Sequence, residues 1–271
     1  MEKVKPEITD SVAETLFITL YIRSEETKLL DGIISDPKAC EIVDNVDYDF
    51  SHFVGAKKSA VGTVIRVRHF DRKTKEFIDK NANPIVVLIG CGLDTRYYRV
   101  PNSDKAVFYE IDLPEVIDLR EKFIEPADND INMRASMLDT DWIDTLKEKH
   151  PDGDFIFILE GVLMYFTEED VYKVVSNIAG NFPKSELHFD AVSVLASKNS
   201  HLHDTVKYMR ARFKWGLDDE LLLEKWAANI KHVETTFFMN QEKARWGRLI
   251  LLFTIIPAFR KAARLLHYQI L

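Results

Sequence analysis

From residue 84 to residue 193 the chain alternates short β-rich runs with amphipathic segments, and this alternation limits the fold more than any other feature. The runs are "PIVVLIG" (84–90), "AVFYEID" (106–112), "INMRAS" (131–136), "DFIFILEG" (154–161) and "ELHFDAVS" (186–193). Between them, "LPEVIDLREKFI" and "TEEDVYKVVSNIAGNF" carry apolar residues at helical spacing. Thr167 with Asp170 three residues on is a capping-box start for the second of these. Strands that alternate with helices imply a parallel sheet covered on both faces, an α/β architecture.

Residues 1–80 read as helical, with apolar periodicity in "SVAETLFITLYIRSEE" and in "VGTVIRVRHFDRKTKEFIDK". The intervening "SDPKACEIVDNVDYDF" contains a proline stop and polar breaks. After residue 193 a polar stretch, "SKNSHLHDTVKYMRARFKWGLDDELLLEKW", is expected to be helical, "HVETTFFM" (232–239) a strand, 241–265 a long helix and "LHYQIL" a closing strand. Seven strands result, and a helix feeding the last one suits an antiparallel closing strand. The 271 residues are expected to form one domain: a helical cap over 1–80 packed on a core over 81–271, with a helical insertion at about 194–230.

Composition removes several function classes. A formal net charge of −8 argues against a nucleic-acid partner, which would call for a basic face. Cys40 and Cys91 are far apart, match no metal spacing and form no disulfide framework, so no metal is expected. The N-terminus "MEKVKPEITDSVAETLF" has no signal-type apolar core. The most apolar run, "LILLFTIIP" (249–257), is too short to span a bilayer and reads as a buried helix face. A cytoplasmic protein without a membrane partner is the expectation.

The first run ends in "GCGLDTRYYR". Ligands of open α/β sheets bind beyond the carboxyl ends of the strands, where Gly90 and Gly92 stand. Asp112 closes the second run twenty residues after Gly92, a place and spacing suited to ribose hydroxyls. An adenosine-bearing ligand follows. Thr95 breaks the G-x-G-x-x-G fingerprint of nicotinamide cofactors, and no phosphate-cradling G-x-x-x-x-G-K-[ST] loop exists. S-adenosylmethionine has no phosphate; it presents a carboxylate, an ammonium and a sulfonium, which call for an arginine and an acid. Arg66 and Arg68 lie on the preceding helix, and Glu160 ends the fourth strand, expected beside the first.

"VVLIGCGLDTRYYRV", "YEIDLPEVIDLR" and "LEGVLMYF" resemble the leucine carboxyl methyltransferase family, in particular its polyketide-type O-methyltransferases. "TLFITLYIRSEE", "SDPKACEIVDNVDYDFSHF", "VRHFDRKTKEF" and "FKWGLDD" extend the match over about residues 15 to 220. The resemblance implies a class I, Rossmann-like methyltransferase fold with a seven-stranded, mostly parallel sheet, and S-adenosyl-L-methionine as cofactor. It implies that Arg66 holds the methionyl carboxylate, that Gly90 and Gly92 form the cofactor loop, and that Asp112 takes both ribose hydroxyls. Glu160 would approach the amino group. Where the family often has Asp-Leu beside the adenine, Met137 and Leu138 stand here; Asp139 is a substitute for the missing acid. Arg23 is a second candidate for an anion.

The expected reaction is methyl transfer to a carboxylate or hydroxyl of a small molecule. A carboxylate needs no base, whereas a phenol or alcohol generally does. Weak candidates for a catalytic role are Tyr165, His201 and His203, and none makes a convincing base, which favours a carboxylate acceptor. His69 is expected to pack under the loop or cap, His188 to be structural, Cys91 to be a small packing residue and Trp215 a cap anchor. The alternatives are carboxyl methylation of a protein C-terminus, a cofactor-binding protein whose catalysis has lapsed, and an NAD-binding dehydrogenase.

Overall fold

The computed structural model describes residues 3–247 and 255–271. Seven strands form one sheet: β1 (Pro84–Ile89), β2 (Val107–Asp112), β3 (Asp130–Arg134), β4 (Asp154–Leu159), β5 (Glu186–Val192), β6 (Ile230–Phe237) and β7 (Ala263–Ile270), in the order β3-β2-β1-β4-β5-β7-β6. β1 to β5 run parallel to one another. β7 is antiparallel to both β5 and β6, as the sequence implies. The order reverses at β1 and β4, which pair directly, so the carboxyl ends of β1 and β4 open the crevice where ligands of such sheets sit.

Alternate side chains of the central strands serve different layers. Val87, Ile89, Phe157 and Phe189 point to one side, against Trp142 and Leu146 of one helix (Asp141–Lys149) and Val171, Val174 and Ile178 of another (Glu168–Asn181). The second of these helices starts with the expected capping box, Thr167 and Asp170 exchanging hydrogen bonds. Val86, Leu88, Phe108 and Ile158 point to the other side, against Ile65, Phe70 and Phe77.

The last three belong to the third of the N-terminal helices, α1 (Leu16–Thr27), α2 (Pro37–Asn45) and α3 (Lys57–Lys80). α1 carries Phe17 and Leu20 into a separate apolar cluster over the carboxyl edge of the sheet, with Leu119, Met164 and Tyr165. Pro37 does not stop a helix here: it opens α2, where a missing N–H costs nothing, and the Asp36 carboxylate accepts from the Ala39 N–H at 3.0 Å.

The segment after β5 differs from the helical insertion expected. It contains only Val194–Lys198, short 3-10 turns and Leu222–Trp226. Its backbone bonds to other segments instead: the Lys214 and Trp215 N–H groups both donate to Met164 O, and Leu217 N–H donates to Val192 O. The helix expected over 241–265 falls partly outside the described residues, at 248–254, and is not seen in the rest. Described parts are single turns at Lys243–Trp246 and Pro257–Arg260, and β7 already begins at Ala263. Most of "LILLFTIIP" lies outside the described residues; its described end, Ile255 to Pro257, is exposed rather than a buried face. No described helix is long and apolar enough to cross a membrane.

Candidate functional site

A cavity of about 420 Å³ opens at the carboxyl ends of β1, β2 and β4, under the start of α1. That volume is ordinary for a small-molecule site. Arg66, Gly90, Gly92, Asp112, Met137, Glu160 and Tyr165 all line it. Residues up to 99 positions apart in the chain thus meet because the strand order reverses where the sequence placed the glycine loop.

The loop is shaped by its backbone. Gly90 has φ +71°, and a Cβ there would stand 2.6 Å from a Val162 methyl carbon, so glycine is required on two counts. The Gly90 and Cys91 N–H groups donate to Ile111 O, fastening the loop to β2. At the end of β2 the two oxygens of Asp112 accept from Gly92 N–H and Leu113 N–H, each at 2.7 Å. Burial pushes the Asp112 carboxyl up to about 6, against the lowering effect of those two amides. Ala135, Ser136 and Met137 continue the wall. Leu138 does not reach it; its side chain packs against the core cluster beneath. Asp139 is likewise absent from the lining and caps its own turn, accepting from Ser136 N–H at 2.9 Å.

The opposite end of the cavity is built from buried ions. Arg66 of α3 donates from Nε to Glu160 at 3.1 Å and from Nη1 to Asp190 of β5 at 3.0 Å. Arg96 donates to the other oxygen of Glu160, to Asp71 at 2.9 Å, and pairs with Asp94 at 3.0 Å. Arg99 joins Asp71, Asp94 and Asp36, and Arg23 joins Asp36. Thr95 donates to Asp36 and accepts from Arg23 and Arg99. Among the described residues this connected network holds four guanidiniums, Arg23, Arg66, Arg96 and Arg99, and five carboxylates, Asp36, Asp71, Asp94, Glu160 and Asp190. The formal balance is one negative charge. Burial opposes ionisation of Asp94, yet Arg96 and Arg99 hold its carboxyl well below the usual range.

Gly161 follows Glu160 for a related reason. Its φ is +73°, and an added Cβ would lie 2.9 Å from both terminal nitrogens of Arg66. Its N–H donates to Asp190 at 2.6 Å. The turn therefore seats the guanidinium flat over a residue with no side chain.

Several sequence expectations change. Arg23 lines the cavity, but its Nη groups are spent on Asp36, Thr95 and Leu93 O. It braces the loop rather than waiting for an anion. His201 and His203 do not line the cavity. His201 is exposed. His203 sits among Ser59, Thr205 and Phe213, and burial lowers its pKa. Phe213 in turn meets the Tyr165 ring edge-on at 5.1 Å. Burial pushes the Tyr165 hydroxyl up to about 12, which makes it a donor at neutral pH and no base. Cys91 is buried with its thiol pushed up, so it is no nucleophile. Arg68 leaves the site altogether and pairs with Glu242. Trp215 is buried against Phe189, in keeping with an anchor.

Sequence reasoning passed over Arg96, Asp94, Asp71 and Asp190. Asp190 left a signal: an acid inside the apolar run "LHFDAV" must be paired.

The model of the family described as leucine carboxyl methyltransferase matches residues 17–179. The chain belongs to that family. Tetracenomycin polyketide synthesis O-methyltransferase TcmP of Streptomyces glaucescens is 26% identical over 262 residues, covering 95% of this chain and 96% of the relative. The S-adenosyl-L-methionine-dependent methyltransferase dpfgK of Gibberella zeae is 25% identical over 268 residues, covering 91% and 88%. The solved structure of a Thermobifida fusca protein described as a methyltransferase superposes with a TM-score of 0.59 at 14% identity, covering 92% of this chain and 94% of that one. The fold is that of class I methyltransferases, and the family member is an S-adenosylmethionine-dependent methyltransferase.

Proposed function

We propose that this enzyme methylates an oxygen of a small-molecule acceptor, and that the acceptor oxygen belongs to a carboxylate. The residues present fit the donor. Asp112 retains two acceptor positions beside an apolar wall, suited to a ribose diol next to adenine. The network at the other end carries one formal negative charge in excess, suited to a ligand with one net positive charge. Arg66 keeps Nη2 for a carboxylate, since Nε and Nη1 are occupied, and Glu160 faces an ammonium. When bound, S-adenosylmethionine supplies a methyl group made electrophilic by its sulfonium.

The chain's own residues then orient and enclose. Leu16 and Thr19 of α1, with Tyr165 and Phe166, wall the cavity on the side away from the sheet. Alignment of an in-line attack is worth roughly 7–11 kcal/mol. The carboxylate reading rests on one observation: among the described residues no histidine lines the cavity, and each acid that does, Asp10, Asp94, Asp112 and Glu160, already accepts hydrogen bonds or ion pairs. Such a site offers no base to a phenol or alcohol. Lys214 at the exposed rim adds a cation for an anionic acceptor.

The test is transfer of labelled methyl from S-adenosylmethionine to panels of carboxylic acids and phenols. Expected is label that mild base releases, the mark of a methyl ester, with a rate flat above neutral pH. Base-stable label confined to phenols refutes the carboxylate reading.

A further inference from the structure

The donor cavity is roofed on one side by a strap. Val4 pairs with Val46 at one end of it, and the single turn Ala13–Thr15 leads into α1 at the other. Between these ends Asp10, Ser11, Val12 and Ala13 line the cavity. They stand on its Asp112 side, where Asp10 adds to burial in raising the Asp112 carboxyl. Ile8 and Val12 pack against the apolar cluster that holds Phe17 and Leu20.

One carboxylate fastens the strap. Glu115 stands in the first turn of the helix Pro114–Arg120, three positions after Asp112. Thr9 N–H lies 3.1 Å from each of its oxygens, Thr9 Oγ donates to Oε2 at 2.7 Å, and Asp10 N–H donates to Oε1 at 2.8 Å. Burial opposes ionisation, yet these donors hold the Glu115 carboxyl below its usual range, so the fastening is charged at neutral pH. Asp10, so held, accepts at Oδ1 from Val12 N–H at 2.8 Å and Ala13 N–H at 2.9 Å, which shapes the lining residues that follow. Arg210 adds a further tie, from Nη2 to Thr9 O at 3.2 Å. The other walls are strand ends and a buried ion network. The bonds to Glu115, by contrast, are exposed to solvent, and segments held by exposed hydrogen bonds open at the low end of the free-energy scale.

We infer, resting on the placement of the ribose at Asp112 proposed above, that Glu115 is a positioning residue: it latches the Thr9–Ala13 strap over the ribose end of the methyl donor, and donor and product exchange where the strap lifts when the latch breaks. The sheet and the ion network stay fixed while the ligand passes. Asp112, Leu113, Pro114 and Glu115 are consecutive, so the ribose contact and the latch share one turn. A latch differs from a contact in its kinetics. A contact with the ligand slows release alone. A latch closed before and after binding slows uptake and release together, so its loss changes the two rates more than their ratio.

The full chain is loaded with tritiated S-adenosylhomocysteine and chased with a large excess of unlabelled ligand. Rapid filtration gives the release rate, and uptake at several ligand concentrations gives the association rate. E115A should speed release by about tenfold or more, the worth of one charge-assisted hydrogen bond. It should speed association as well, so that Kd moves by less than the release rate does. T9A, which deletes the Oγ donor and keeps both amides, should fall between E115A and the parent chain. Circular dichroism should match the parent in both. Release within twofold of the parent in both variants overturns the latch, as does faster release with association unchanged, the mark of a plain contact. D112A separates the two readings. If its affinity equals the parent's, the ribose placement falls, and with it the position assigned to the strap; if it loses affinity while E115A and T9A keep the parent rates, the latch alone falls. T9A decides the matter if E115A fails to fold.

Discussion

Replacing Asp112 by alanine tests the proposed ribose contact. An ionised carboxylate offers about four acceptor positions. Two are taken by Gly92 N–H and Leu113 N–H at 2.7 Å each, leaving one on each oxygen, the number a vicinal diol requires. Hydrogen bonds to charged groups contribute about 1.5–3 kcal/mol apiece, so Asp112→Ala should cost about 3–6 kcal/mol of binding. At 1.4 kcal/mol per tenfold, the Kd for S-adenosylhomocysteine by calorimetry should rise by roughly 10²–10⁴. The parent site adds a pH signature. Its carboxyl is raised to about 6 by burial, so the free enzyme takes up a proton as pH falls through that value. On the proposed reading the ionised form accepts both hydroxyls, so affinity should be level above pH 7 and fall towards tenfold per unit below about pH 6. Asp112→Ala should lose that dependence. A variant within threefold of the parent Kd, or with the same acid limb, would refute the assignment.

Gly161→Ala should abolish measurable donor binding, because the new Cβ meets the Arg66 guanidinium at 2.9 Å and the positive φ adds about 1–3 kcal/mol of strain; calorimetry and urea unfolding report the two effects separately. Glu160→Gln leaves Arg66 and Arg96 short of a charge partner in a buried setting, and urea unfolding should show a loss of about 3 kcal/mol; a change under about 0.5 kcal/mol would show that the network tolerates the gap. Cys91→Ala should keep turnover within about twofold, and the parent thiol should resist alkylation at pH 8 because burial raises its pKa; rapid labelling with loss of activity counts against a packing role. Tyr165→Phe should leave the shape of the pH–rate profile unaltered between pH 6.5 and 9, since the hydroxyl titrates near 12; loss of a basic limb would reinstate it as a proton acceptor.

The sheet was legible because its strands are continuous apolar runs with helical segments between them, and local composition decides both. Gly90, Asp112 and Glu160 were legible because the end of a parallel strand is a fixed address. The segment over 194–230 was not, since its conformation is set by hydrogen bonds from Lys214 and Trp215 to Met164 O rather than by its own periodicity. The ion network escaped for the same reason. Arg96 and Glu160 are 64 residues apart, and nothing within "LDTRYYR" says which acids its arginines will find. Their place after the fifth strand likewise marked His201 and His203 as weak catalytic candidates but could not show that Phe213 stands between His203 and Tyr165.

The odd carboxylate in the ion network bears on turnover. Methyl transfer turns a sulfonium into a neutral thioether, so the spent ligand leaves with one positive charge fewer than the fresh one brought. On the proposed reading, the ion network at one end of the cavity, with four guanidiniums and five carboxylates, matches the charge of the donor better than that of what remains. If the network faces the methionyl end as proposed, exchange of product for donor is favoured by the charge the reaction itself removes.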